Sequence, residues 1–425
     1  MMKLGYVLLT IFAASNGFAQ EYETAGEIPL SNAVPESLLA GSRGTISESV
    51  YNDGMLNSYV VTAPQGEFKV TSVHGLCKLV REVNAIQEIA VLEKTEAFSD
   101  SAVEAVKNLG KGAAHIVTEP VEAVKNATEG VKEVFRDIGD RIDRGDESGD
   151  TEDGSLKSLI GFSKTKRRYG YEFGVDVYSN NETLQKYLDQ IAWAGFSGNV
   201  MFNVAATVAT SGLAGAAISV TNYTVALEEI IRDTTPGDLR ELTRERLLEQ
   251  GLEEDLVNLF VRNSEMSPRH QAYMAGALMV MGDVEGKQFL LRRAANSKSY
   301  EESFDRQVQA QMYAHINSKT PIKRFVSVGD SRVVAEAQDG TVILAATVDH
   351  LLWTENLDKL MQFKNERIEE HGLGGKRMLW LTGNASESAH AGLEGLGWDI
   401  RPRLIGDYLD TLCSPAVPEV SLESN

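Results

Sequence analysis

The chain is 425 residues long, 43% hydrophobic and 24% charged, with 61 Asp and Glu against 41 Lys and Arg and a formal net charge of −20. That length holds several domains of ordinary size, roughly 100–200 residues each. The acidic balance argues against a nucleic-acid partner and against broad attachment to anionic lipid, both of which need concentrated basic surface. Two cysteines exclude a disulfide-stapled scaffold and a Cys-rich zinc module.

The first stretch carries an address. Lys3 is followed by an apolar run from Leu4 to Ala14 that is too short to anchor in a bilayer. Gly17-Phe18-Ala19 then places small residues where a signal peptidase reads, which predicts cleavage after Ala19 and export to the periplasm or beyond. No cysteine follows the cut, so a lipid anchor is not expected. Cys77 falls in an amphipathic run and reads as a small buried hydrophobe. Its pairing with Cys413 is left open, because sequence does not establish proximity.

Residues 20–40 read as an irregular lead-in. Strands are expected at Ser47–Tyr51, Leu56–Thr62 and Phe68–Val73, with Asn52-Asp53-Gly54 as a hairpin turn and a helix following to about Lys94. Beyond it, Val117, Val121, Val124, Thr128, Val131, Phe135 and Ile138 recur at alternating intervals of 4 and 3. That spacing predicts amphipathic helices, broken at Pro120, suited to the protein's own core, a partner helix or a membrane surface. The acidic, glycine-rich run ending at Gly154 fails the calcium-loop spacing and reads as a solvated linker.

No charged residue occurs in the 38 positions from Gln190 to Leu227. The run is rich in Ala, Gly, Ser and Thr, and Asn199, Asn203, Thr207 and Thr210 share a helical face. Two tightly packed core helices are expected here rather than a membrane span. Downstream, Thr235-Pro236, Ser267-Pro268 and Ser299 with Glu302 are three helix starts spaced 32 residues apart, with Gly251 and Gly282 between them. This spacing fits stacked helical hairpins, a short α-solenoid whose concave face would bind a protein or peptide.

From Ile322 the pattern turns to strands and helices in alternation, ending with Arg377–Leu381, a helix over Glu387–Leu396, and Trp398–Leu404. Ligands of such sheets bind beyond the carboxyl ends of the strands. Two strand ends carry polar groups: Asp349 and His350 after one, Asn384 and Ser386 after the other. If the strands are parallel neighbours, Asp349 orients His350 as a base beside Asn384 and Ser386. The plainer expectation is that these residues only cap and turn the chain. GxSxG, HExxH, P-loop and GxGxxG motifs are absent, and no two of the seven histidines are four residues apart, so no metal or cofactor is expected.

The segments Lys166-Arg167-Arg168-Tyr169, Gly174 to Ser179 and Leu184 to Trp193 resemble uncharacterised secreted bacterial proteins of no known activity. That resemblance implies export and nothing more. The expected architecture is α+β, multidomain and mostly helical. It divides into a signal peptide (1–19), a small β-hairpin and helix unit (20–98), amphipathic helices with an acidic linker (99–154), a helical middle (155–320), a three-layer α/β unit (321–412) and a tail (413–425). The expected function is an exported binding or scaffolding protein whose helical surface engages an envelope protein or peptide. The alternatives are a hydrolase acting at the strand ends and an envelope protein in peripheral contact with the membrane.

Overall fold

The computed structural model describes residues 21–34, 36–95, 154–197, 201–205, 220–329, 332–403 and 419–423. The predicted signal peptide, the heptad-patterned segment and the acidic linker up to residue 153 lie outside them.

The N-terminal unit is an antiparallel sheet against one long helix. Strands β1 (Gly26–Pro29), β2 (Thr45–Ile46), β3 (Ser49–Asn52), β4 (Asn57–Ala63) and β5 (Gly66–Thr71) assemble around β4, which pairs with β2, β3 and β5. The lead-in is more ordered than expected: β1 pairs with β3 and runs into two short helices, α1 (Leu30–Ala33) and α2 (Glu36–Gly41). Helix α3 (Val73–Leu92) buries Leu76, Val80 and Val83 against Val50, Tyr59 and Val61 of the sheet. Its second half carries Ile86 and Ile89 into another core, with Tyr169 of α4 (Gly154–Glu172), Phe173 just after it, and Leu184, Leu188 and Ile191 of α5 (Glu182–Ser197). One helix therefore belongs to two cores and joins the units.

The uncharged stretch departs from expectation. Met201–Ala205 forms a strand, β6, which pairs antiparallel with β14 (Glu419–Glu423), a segment read from sequence as a tail. Phe202 and Val204 suit extended backbone, but the partner strand lies at the other end of the chain. Of the supposed helical face, Asn203 is in the strand, and Asn199, Thr207 and Thr210 lie outside the described residues. Helix α6 (Val220–Asp233) follows. No described helix is long and apolar enough to cross a membrane.

Five helices then stack in two layers: α7 (Pro236–Glu249), α8 (Glu254–Val261), α9 (Pro268–Val280), α10 (Lys287–Ala295) and α11 (Tyr300–Lys319). Helix α9 packs between α7 and α11, and α8 packs on α10. The first layer starts the same way three times. Thr235, Ser267 and Ser299 each accept the backbone N–H three residues on, at 3.2, 3.1 and 3.1 Å, satisfying a donor that the first helical turn leaves open. Gly251 and Gly282 follow α7 and α9 with φ of 76° and 64°, a conformation that costs glycine little.

The C-terminal sheet runs β13 (Trp398–Arg401), β11 (Arg377–Leu381), β9 (Val342–Ala346), β8 (Val333–Ala337), β7 (Ile322–Ser327). Strands β9, β11 and β13 are parallel, while β7 and β8 form an antiparallel edge. Successive residues point to opposite faces. Val333, Ala335, Ile343 and Ala345 pack on the helical stack, including Val308 and Met312 of α11. Val334, Val342, Leu344 and Leu379 pack under α12 (Glu355–Glu370) and α13 (Glu387–Gly395). The unit has three layers, and the helical middle supplies one of them.

Candidate functional site

Two short strands, β10 (His350–Leu351) and β12 (Asn384–Ala385), extend the carboxyl ends of β9 and β11. They pair in parallel with His350 opposite Asn384, so the sheet brings the two polar strand ends together. Gly383 makes the approach possible, since a Cβ there would overlap the carbonyl oxygen of Asp349.

Asp349 does not orient His350. Its carboxylate turns to the N-terminal unit, where Oδ1 accepts the Val73 N–H and Oδ2 the Asn57 N–H, each at 2.9 Å. Val73 is the first residue of α3, so the carboxylate satisfies an open donor at the positive end of that helix. Burial pushes the Asp349 carboxyl up to about 6, against the opposing pull of His74 and the two N–H groups. Around it, Gly54 and Met55 accept the backbone N–H groups of Leu352, Asp349 and His350, and Asn52 donates to the His350 carbonyl. The strand ends are the dock for the β3–β4 hairpin.

Ser386 is engaged in the same way. It caps α13 by accepting the Ala389 N–H and donates its hydroxyl to Glu23 Oε2 at 2.5 Å. Glu23 Oε2 also accepts the Trp353 N–H. The chain's own carboxylate therefore occupies the Ser386 hydroxyl. Asn384 accepts from Arg403 Nε at 2.9 Å. The His350 ring makes no hydrogen bond among the described residues.

Sequence reasoning missed the groups beside Asp349. Ser72, at φ +75° and ψ 150°, caps α3 and lies 3.0 Å from His74 Nε2. The same nitrogen is 2.7 Å from Asp305 Oδ1 of α11. A Ser–His–Asp relay needs the hydroxyl and the carboxylate on different ring nitrogens. Here both contacts fall on one nitrogen, Nδ1 is buried without a partner, and the histidine is 2% exposed. The arrangement is a clasp between α3 and α11. Burial alone would lower the His74 value, but the hydrogen bond and charge of Asp305, with the charge of Asp349, hold it above the ordinary imidazole.

The clasp continues inward. Phe304 meets His74 edge-on and His270 face-on, and His270 leans on Tyr300, whose hydroxyl donates to buried Asp176 at 2.6 Å. On α3, Lys78 pairs with Glu82, which also accepts from Ser179 and Asn181. These polar groups tie α3, the 174–181 loop, α9 and α11 together. Among the described residues, no group of three or more His, Cys, Asp and Glu could hold a metal ion.

Open space lies elsewhere. A cleft of about 300 Å³ runs between α4 and the end of α6, lined by Lys164, Arg168, Tyr171, Glu172 and Arg232. Lys164, Arg168 and Tyr171 share one helical face. Arg232 stacks on Tyr171 with its charge centre 4.7 Å from the ring centroid and pairs with Asp233. Arg168 pairs with Glu172 at 3.5 Å, and burial raises the Glu172 carboxyl against the opposing pull of Arg168 and Arg232. Comparison with protein-family models, with curated proteins and with solved structures finds no match to this chain.

Proposed function

We propose that this is an exported binding protein that engages an envelope protein or peptide through its helical domain. The observation that carries this reading is the cleft between α4 and α6, where Lys164, Arg168 and Arg232 outnumber Glu172 and Asp233 beside Tyr171, set in a chain of net charge −20. Clefts that pair an aromatic face with a few placed polar groups are favoured binding sites. The strand-end residues that could have argued for a hydrolase are engaged in holding units together. Export is supported by the signal-like N-terminus and by Cys77, which is buried as its sequence suggests and is disulfide-bonded, a question the sequence leaves open. The chain's other cysteine, Cys413, lies outside the described residues. The test is charge reversal: Lys164→Glu with Arg168→Glu should remove partners that co-purify with the wild-type protein from the envelope fraction. Unchanged co-purification refutes the reading.

A further inference from the structure

The carboxyl-terminal edge of the sheet has a second half, away from the docked hairpin. Arg332 immediately precedes β8, and Ala345 lies near the end of β9; the two strands are antiparallel, so both positions fall on the same edge. Gln309 of α11 donates to the Ala345 carbonyl at 2.8 Å, and Arg293 of α10 donates to Gln309 Oε1 at 2.7 Å. One turn back on α11, Arg306 pairs with Glu302. From the opposite layer comes Lys364 of α12, next to Phe363, over which Arg332 stacks at 5.1 Å.

Four cations thus gather at one sheet edge, and Glu302 is the one carboxylate that neutralises any of them among the described residues. Arg293 is hydrogen-bonded to a neutral amide. Lys364 makes no ion pair or hydrogen bond there, and the charges acting on it are Arg332 and Arg293; burial first, and then those charges, pull it down to about 8. Two buried donors of the same neighbourhood lack partners, Arg306 Nε and Trp380 Nε1. Trp380 stands in register with Ala345 and packs on the α11 side of the sheet. Buried donors and charges without partners are costly and rarely left so. The carboxyl edge of parallel strands is where such sheets take ligands.

We infer that this edge binds a phosphate group, held between Lys364, Arg332, Arg293 and Arg306. A tetrahedral dianion supplies acceptors for forked guanidinium donors and charge for the lone ammonium. The site is independent of the α4–α6 cleft.

The test uses the full mature chain. Inorganic phosphate and glycerol phosphate are each titrated at constant ionic strength, read by calorimetry and melting temperature against chloride. Binding in either arm, with a melting temperature raised by ligand, supports the site, and the stronger arm tells free phosphate from a phosphomonoester. Absence of binding in both overturns it. Lys364→Met should weaken phosphate binding by at least about tenfold. Without ligand the same variant should melt no lower than wild type, because it removes a half-buried charge that has no counter-ion among the described residues. A lowered melting temperature identifies a counter-ion within the chain and overturns the proposal. Lys359→Met, which removes an exposed lysine paired with Glu355, should bind phosphate as wild type does.

Discussion

The Asp349 carboxylate accepts the backbone N–H of Val73 at 2.9 Å across 276 positions of chain. With the matching bond from Asn57, one side chain satisfies a helix start and a hairpin in another unit. Replacement by Asn puts an amide N–H against a backbone N–H while keeping the volume. Asp349→Asn should therefore cost about 1–3 kcal/mol, whereas His350→Ala, which removes no hydrogen bond, should change stability by less than about 0.5 kcal/mol. Urea unfolding followed by tryptophan fluorescence measures both. The reverse ranking would overturn the docking role.

Stability should peak between about pH 6 and 7. His74 is held above the ordinary imidazole by Asp305, so its contribution is complete below 6.5 and is lost as pH rises through its folded value. His270 runs the other way. Burial first, with Arg269 and Lys78 adding to it and Asp176 opposing, lowers it to about 3 from 6.5. The unfolded chain then takes up the proton first as pH falls below 6.5, costing about 1.4 kcal/mol per pH unit, or about 2 kcal/mol at pH 5. Protonation of Asp349, raised to about 6, recovers part of that loss. His270→Phe keeps the aromatic packing against Tyr300 and Phe304 and should flatten the acid limb. Unfolding at pH 5 and pH 7 checks the sign, and an equally steep acid limb in the variant contradicts it.

Gly383→Ala should destabilise by about 1–3 kcal/mol or more, because its Cβ overlaps backbone that has no room to shift. Gly374→Ala, where nothing lies within 4 Å of the added atom, is the matched control and should be near neutral. Melting temperatures of the pair are sufficient. Equal effects would refute the close crossing at the strand ends.

Cys77 is disulfide-bonded, and there is no free thiol among the described residues. Denatured, unreduced protein should take up no maleimide, and two equivalents should react after reduction, one for each cysteine. Labelling before reduction would remove this support for export.

Much of the fold was legible because its signals are local. The three capped starts at Thr235, Ser267 and Ser299, the glycine stops at Gly251 and Gly282, and the C-terminal alternation of strands and helices all follow from turn and cap chemistry. What escaped is non-local. β1 and β6 each need a partner strand that their own residues do not announce, and β6 finds its partner at the far end of the chain. Asp349 was legible as a polar strand end, but which group it serves depends on packing between units. His74 and Asp305 are 231 positions apart, so no spacing rule connects them. Lys166-Arg167-Arg168-Tyr169 stood out as a segment, yet the cleft that uses Arg168 needs α6 beside it.

The most direct test of the binding role is site-specific photo-crosslinking in the intact envelope. A photoreactive residue at Thr165, which lines the α4–α6 cleft, is compared with one at His350 on the docked strand end. The account predicts a discrete higher-mass adduct from Thr165 that Arg168→Glu abolishes, and no intermolecular adduct from His350. An adduct from His350 with none from Thr165 would place the working surface at the strand ends and contradict the account.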